Sequence, residues 1–66
     1  MKIALNGESR EFERALSVTE LLERAGYAGR RVAVEVNREI VPRSAHGGRL
    51  LHDGDQVEVV HALGGG

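Results

Sequence analysis

Cysteine and tryptophan are absent from this 66-residue sequence, and its aromatic side chains are limited to Phe12 and Tyr27. Without cysteine, the chain has no disulfide, no thiolate metal site and no thiol nucleophile, which fits a reducing cytoplasm. Two aromatic rings are too few to form a stacking platform for single-stranded nucleic acid. The hydrophobic core therefore has to be built from aliphatic side chains.

Neither sign of charge is in marked excess. Nine Lys and Arg residues stand against ten Asp and Glu residues, for a net charge of -1, and no block of like charge creates the field that attracts nucleic acid. Long apolar runs are also missing. Residues 1–5 are followed at once by Asn6 and Gly7, too soon for a secretory signal, and no segment approaches the length of a membrane span. We therefore expect a cytoplasmic protein with neither nucleic acid nor membrane as a partner.

Small size limits the chemistry that the chain can perform. A domain of 66 residues buries only about 60% of the surface of its unfolded chain. Its core is therefore small, and a catalytic cleft is difficult to build around it. We expect a single domain with little room for a catalytic cleft.

The first five residues alternate between apolar and other side chains, which is the period of a strand with one buried face. Asn6 and Gly7 tolerate positive φ and predict a two-residue hairpin turn, followed by a second strand over about residues 8–13. This register places Phe12 on the core side. It also places Arg10 there, so a longer loop or a bulge is an open alternative.

A capping box marks the start of a helix. Ser17 and Glu20 are spaced so that each side chain can bond the backbone amide of the other residue, and an apolar stripe with helical spacing follows. Gly26 can adopt the left-handed conformation that ends a helix, which predicts a helix from Val18 to Ala25. We interpret the stripe as core packing, and its members are Val18, Leu21, Leu22 and Ala25.

Two strands are predicted after the helix. Residues 32–37 alternate three valines with other side chains and form the clearest strand of the sequence. A turn through Arg38 leads to a brief strand at residues 40–41, which ends at Pro42 because proline has no amide to donate to a ladder. Residues 43–48 are predicted to be loop.

The end of the chain completes a sheet. Residues 53–55, Asp-Gly-Asp, predict a tight turn, and residues 56–61 predict a last strand with Val57 and Val59 facing inward. One amphipathic helix can cover one face of a mixed sheet of four or five strands. If the first and last strands lie side by side in parallel, the helical crossover supplies the connection that they need. The predicted fold is α+β: a β-grasp, ubiquitin-like domain over residues 1–62, followed by a flexible glycine tail at residues 63–66.

The tail ends in Gly64, Gly65 and Gly66. A glycine run has no side chains to bury or to clash, so it can enter a narrow slot in another protein. The α-carboxylate of Gly66 is a poor electrophile, and a partner would have to activate it as an acyl phosphate or an acyl adenylate. The alternative is that the tail is an incidental disordered end or a remnant of cloning.

Short motifs with a specific order and spacing extend over nearly the whole chain. They are Leu5-Asn6-Gly7, Val18 with Leu21-Leu22, Ala33-Val34-Glu35-Val36-Asn37, Ile40-Val41-Pro42-Arg43, Asp53-Gly54-Asp55 with Val57-Glu58, and Gly65-Gly66. Together they resemble the ThiS-type sulfur carriers of thiamine biosynthesis, which are small ubiquitin-like proteins. The run Val41-Pro42-Arg43 favours this family most over its neighbours.

The resemblance implies a carrier protein that acts as a co-substrate and binds no cofactor itself. In the family, a ubiquitin-activating-type, ThiF-like adenylyltransferase uses ATP to form an acyl adenylate on the terminal glycine, and sulfur from a cysteine-desulfurase system displaces AMP. The resulting thiocarboxylate donates its sulfur to a ThiG-like thiazole synthase. Carried over to this sequence, Gly66 is the modified residue, while Gly65, Gly64 and Leu63 form the tail that the partners recognise. Gly64 departs from the family, which commonly has two terminal glycines.

A docking surface is predicted beside the tail. Val60 and Ala62 lie on the side of the last strand opposite to the inward valines. With Leu63 they could form an exposed apolar strip that docks the activating enzyme and the synthase. The alternative is that Val60 is a tolerated exposed valine or is covered by a neighbouring loop.

Metal binding is not expected. His46, His52 and His61 do not have the spacing of a helical or hairpin zinc motif, and we interpret them as solvated residues of loops and strand ends. Asp53 and Asp55 would need further ligands downstream to form a calcium loop. A turn is therefore the better interpretation of the two aspartates.

Three other functions stay open on the sequence alone. Carriers for molybdopterin or for another sulfur pathway share the fold and the diglycine. A ubiquitin-like modifier would conjugate Gly66 to lysines of target proteins after the same activation step. A plain interaction module would leave the tail unused.

Overall fold

Five strands and one α-helix make up the part of the chain that the computed structural model describes, residues 1–61. In chain order they are β1 (Lys2–Leu5), β2 (Glu8–Glu11), α1 (Val18–Arg24), β3 (Val32–Val36), β4 (Glu39–Val41) and β5 (Gln56–His61). No helix among these residues is both long and apolar enough to cross a bilayer.

The strands of residues 1–61 form a single mixed sheet in the order β2-β1-β5-β3-β4. The first and last strands, β1 and β5, are parallel neighbours, and the other neighbouring pairs are antiparallel. Because α1 lies between the two hairpins in the sequence, it provides the crossover that a parallel pair requires. The β-grasp prediction is therefore confirmed, with five strands rather than four.

The hairpin of β1 and β2 turns through Asn6 and Gly7, whose φ angles are 49° and 82°, as a type I′ turn requires. Ile3 pairs with Arg10 in this register, so the alternative of a longer loop or a bulge is wrong. Arg10 stays solvated because β2 is an edge strand: its side chain is 45% exposed and lies 3.8 Å from the carboxylate of Glu8. The strand ends at Glu11, two residues before the predicted end.

The predicted capping box starts α1. The Glu20 amide donates to Ser17 Oγ at 3.1 Å, and the Ser17 amide donates to Glu20 Oε1 at 2.9 Å. Leu16 and Leu21, on either side of the cap, are both fully buried. Arg14 donates to Glu20 Oε2 at 2.9 Å, and this hydrogen bond, with that from the Ser17 backbone, lowers the pKa of the Glu20 carboxyl below its ordinary value.

The other end of α1 is closed by glycine, as predicted. The helix ends at Arg24 with Ala25 as its cap, one residue before the predicted end. Gly26 has a φ of 89°, and the Tyr27 amide then donates back to the Leu22 carbonyl at 2.8 Å. This is the hydrogen bond of a Schellman motif, which satisfies a carbonyl of the last turn.

The core is aliphatic and lies between α1 and one face of the sheet. Phe12 and Tyr27 are only partly buried at its border. Leu51 is fully buried, and its amide donates to the Leu16 carbonyl at 2.8 Å, although no element was predicted around it. The buried cluster is Ile3, Leu5, Val18, Leu21, Leu22, Val34, Val36, Val41, Leu51, Val57 and Val59.

The segment after β4 differs from its prediction. Strand β4 stops before Pro42 as expected, but residues 43–48 are not simply loop, because Arg43–Ala45 form a turn of 3₁₀ helix. His46 follows this turn and is only 8% exposed, so the interpretation of His46 as a solvated residue is wrong. Its Nε2 lies 3.0 Å from the Val41 carbonyl oxygen, and this local hydrogen bond explains how a histidine is accommodated at a largely buried position.

Candidate functional site

Strand β5 leads directly to the glycine tail. Its inward residues, Val57 and Val59, are buried, while Val60 faces the opposite side and is 58% exposed. The predicted orientation of Val60 is therefore confirmed, and no loop within residues 1–61 covers it. The other predicted site residues, Ala62, Leu63, Gly64, Gly65 and Gly66, lie outside the residues that the structure describes.

The strand that precedes the tail has neighbours on both sides. Strand β5 is the middle strand of the sheet, and it pairs in parallel with β1, where Leu5 lies opposite Val57. Along its other edge it pairs with β3 as far as His61, which lies opposite Val32. The segment that follows His61 is thus attached to the middle strand of the sheet rather than to an edge strand.

Asn6 adds a further bond close to the tail. Its backbone amide donates to the Val57 carbonyl at 2.9 Å, and its side-chain Oδ1 accepts from the Val59 amide at 2.8 Å. The side chain thereby continues the β1–β5 ladder beyond the end of β1. Asn6 Nδ2 also donates weakly to the Tyr27 hydroxyl at 3.4 Å, and the Tyr27 ring packs against His61 with 5.9 Å between ring centroids.

Sequence reasoning assigned Asn6 to the hairpin turn and missed this second role. The sequence did contain one signal for this role, because glycine or aspartate would also have suited the turn. Of these three residues, only asparagine has a side chain with both an amide donor and a neutral acceptor. The partner amide is 53 residues away in the sequence, so the spacing alone could not identify it.

Val60 belongs to a larger apolar surface on the outer face of the sheet, which we call the outer patch: Ala33, Ile40 and Val60. Ala33 is exposed and lies opposite Val60 in the pairing of β3 with β5. Ile40, on β4, is 74% exposed. Two carboxylates border the patch, because Glu35 lies between Ile40 and Glu58 across neighbouring strands. The prediction identified Val60 but missed the members on β3 and β4.

Asp55, which the sequence assigned to a turn, has a structural role. Asp55 closes the predicted turn: its Oδ2 accepts from the His52 amide at 2.9 Å, and its Oδ1 accepts from Asn37 Nδ2 at 3.0 Å. Gly54 in this turn has a φ of 89°, so the turn prediction is confirmed. Within residues 1–61, no three side chains of the metal-binding types lie close enough together to hold an ion.

Comparison with known proteins extends these observations to the whole chain. The sequence profile of the ThiS family matches residues 3–66. The chain is 46% identical over its full length to a thiazole synthase of Paramagnetospirillum magneticum, and it spans 20% of the length of that relative. It is 30% identical to the sulfur carrier protein ThiS of Escherichia coli, with both chains covered completely. The crystal structure of the thiamine biosynthesis protein ThiS from Geobacter metallireducens matches with a TM-score of 0.87 at 36% identity, covering 100% of each chain.

Proposed function

The chain belongs to the ThiS family, and from this we propose that it carries sulfur, as a thiocarboxylate on Gly66, for the thiazole ring of thiamine. The observation that carries this conclusion is the extent of the family match, which continues through Gly66. The terminal glycines are therefore part of the region that the family shares. Glycine tails left by cloning or by chance would fall outside such a match.

The chemistry requires activation by another protein. An adenylyltransferase of the ubiquitin-activating type joins the Gly66 carboxylate to the AMP part of ATP, and pyrophosphate leaves. The outer sulfur of a persulfide supplied by a cysteine-desulfurase system then attacks the carboxyl carbon, and AMP leaves. A thiol reduces the resulting acyl disulfide, so that the terminus becomes a thiocarboxylate and the sulfur donor leaves as a disulfide with that thiol. Throughout, this chain is a co-substrate rather than a catalyst, and ATP is bound by the activating partner.

The glycines suit this role for steric reasons. Gly66 has no Cβ to obstruct attack on its carboxyl carbon, and Gly65 lets the backbone pass through a closed active site. Leu63 is the last residue with a side chain before the glycines, and its side chain is the one that the partner binds. Gly64 adds one more residue without a side chain between Leu63 and the reacting carbon.

The outer patch is the surface that docks the activating enzyme and the synthase. Val60 and Ile40 expose large apolar side chains on the same face of the sheet, with Ala33 on the strand between them. Exposed apolar surface of this kind is typical of interaction sites. We include Ala62 because it follows two residues after Val60 in the sequence. Glu35 and Glu58 border the patch, so a partner with basic residues around an apolar centre is the best complement.

Thiazole synthase is the acceptor that the relatives favour. A protein of that name contains a stretch 46% identical to this chain over all 66 residues, so a sequence of this kind occurs within the polypeptide of such a protein. Carriage of sulfur to molybdopterin has no comparable support among these relatives. We therefore assign the thiocarboxylate to the synthesis of thiazole.

Intact-protein mass spectrometry tests the function. The chain is incubated with ATP, an adenylyltransferase of the family and a sulfur source, and a second sample then receives thiazole synthase with its other substrates. We expect the mass to rise by the replacement of one oxygen by sulfur and to fall again once the synthase is added. Larger adducts on target proteins would identify a modifier instead, and a terminus that stays unreacted would identify an interaction module.

A further inference from the structure

A cleft of about 240 Å³ lies on the helix side of the sheet, between α1, the loop that follows it and the 3₁₀ turn. Its apolar lining comes from Leu22, Tyr27 and Val32, and its cationic lining from Arg30 and Arg43. Leu22 and Tyr27 are also joined by the Schellman hydrogen bond at 2.8 Å. The cleft is thus formed by backbone segments that are fixed relative to each other.

The two arginines have no anionic partner in the part of the chain that the structure describes. Neither Arg30 nor Arg43 forms an ion pair with a carboxylate of residues 1–61. Glu23 also lines the cleft, but two guanidinium groups against one carboxylate leave an excess of positive charge. Guanidinium groups bind carboxylates through paired, charge-assisted hydrogen bonds, so this lining is suited to an acidic group.

His46 adds a polar side chain to the lining of the cleft. It lines the cleft although it is only 8% exposed. Because the Val41 carbonyl can only accept, Nε2 is the donor in their 3.0 Å hydrogen bond. The other ring nitrogen, Nδ1, has no partner within residues 1–61. No fully buried side-chain nitrogen or oxygen in this range lacks a partner, so Nδ1 keeps some contact with solvent.

The size of the cleft restricts its occupant. Sites for small molecules and cofactors usually have volumes of about 300–1,000 Å³, and this cleft lies below that range. A volume of 240 Å³ suits one or two amino-acid side chains that enter from a neighbouring surface. An acidic side chain would meet the arginines, and an adjacent apolar side chain would cover Leu22 and Val32.

We propose that this cleft docks an acidic segment of a protein partner, in which a carboxylate binds Arg30 and Arg43 beside an apolar side chain. This gives a role to the Val41-Pro42-Arg43 run: Val41 fixes His46 through its carbonyl, and Arg43 presents its guanidinium to the cleft. The cleft and the outer patch lie on opposite faces of the sheet and favour partner segments of opposite charge. Binding at the cleft does not depend on sulfur chemistry at Gly66.

An NMR titration of the full chain tests this assignment. The probe is an acetylated and amidated Leu-Glu-Leu tripeptide, and the reference probes are the corresponding Leu-Gln-Leu peptide and sodium phosphate. We expect saturable shifts of the backbone amides at residues 27–30 and 43–46 with the glutamate peptide. Binding should be about tenfold weaker for the glutamine peptide, since a charge-assisted hydrogen bond is lost.

Matched arginine variants separate docking from general charge attraction. Arg30→Gln and Arg43→Gln should each weaken binding of the glutamate peptide about tenfold, while Arg38→Gln, in the turn before β4 and outside the cleft, should leave it unchanged. An unchanged melting temperature of each variant shows that the fold is intact. Equal weakening by Arg38→Gln, equal binding of the glutamine peptide, or the absence of saturable shifts would overturn the assignment. Phosphate binding at the same amides as tightly as the peptide would overturn it too, because the cleft would then be a site for small anions.

Discussion

Replacing Asn6 with glycine tests whether its side chain secures the base of the tail. The φ of 49° at Asn6 suits glycine without strain, so Asn6→Gly keeps the turn and removes only the side-chain bonds. The Val59 amide then loses its acceptor at 2.8 Å. A hydrogen bond of this kind contributes about 0.5–1.5 kcal/mol to stability. In a domain of this size, each kcal/mol corresponds to a fall in Tm of roughly 4–8 °C.

The matched control is Asn37→Gly at the opposite end of β5. Asn37 also has a positive φ, of 52°, and its Oδ1 accepts from the Gln56 amide at 2.9 Å. Asn37 Nδ2 also donates to Asp55 Oδ1 at 3.0 Å, so the control should lower the Tm by at least as much, without affecting the end of β5 that precedes the tail.

Amide hydrogen exchange measured by NMR distinguishes the two variants. In Asn6→Gly, exchange at Val59 should accelerate by more than the loss of global stability accounts for, because the amide has lost its own acceptor. In Asn37→Gly, the excess acceleration should occur at Gln56 instead. If Val59 in Asn6→Gly kept the protection of its neighbours, the side chain of Asn6 would not be securing this strand and the reasoning would be refuted.

Three further outcomes are expected. Val60→Asp should leave stability within about 0.5 kcal/mol, as is usual for exposed positions, but slow adenylation and sulfur transfer in a reconstituted assay; unchanged rates would exclude Val60 from docking. Deletion of Gly66 should abolish thiocarboxylate formation, seen by intact mass, with an unchanged circular dichroism spectrum; a variant that is still converted would contradict the assignment of the modified residue. The lowered pKa of Glu20 means that this carboxylate stabilises the fold above its unfolded pKa and loses that contribution as pH falls through its folded pKa. Arg14→Gln should therefore raise the pKa of Glu20 in an NMR titration and shift acid unfolding to higher pH, whereas an unchanged pKa would show that Arg14 has no influence.

The elements of the fold that depend on local sequence were predicted well. The capping box of Ser17 and Glu20 involves residues three positions apart, and the turn at Asn6 and Gly7 depends on φ preferences of those residues alone. Alternation along β3 and β5 identified the inward valines because a strand has only two faces. Element order then led to the β-grasp topology.

Features that depend on distant partners were missed. His46 is buried because the Val41 carbonyl accepts its Nε2 proton, and Leu51 is buried because the chain returns beside Leu16. No periodicity marks either position, since both belong to irregular segments. A histidine in a loop is ordinarily exposed, and the prediction followed that tendency.

The candidate site was predicted in part, for the same reason. The orientation of Val60 follows from alternation within β5, and this prediction is confirmed. Ala33 and Ile40 join Val60 only after β3 is paired with β5 and with β4, and a single sequence does not specify that pairing. The cleft with Arg30 and Arg43 needs the packing of three separate segments, so it was not foreseen.

The central position of β5 also has a mechanical consequence. If a partner draws the tail into its active site, as proposed above, the pull acts along the axis of β5, toward the side on which His61 lies. The hydrogen bonds to β1 and β3 are then loaded together in shear, rather than one after another as in the peeling of an edge strand. A domain of 66 residues with a small core can therefore withstand a pulling force on its tail better than the low free energy of unfolding expected for its size would suggest.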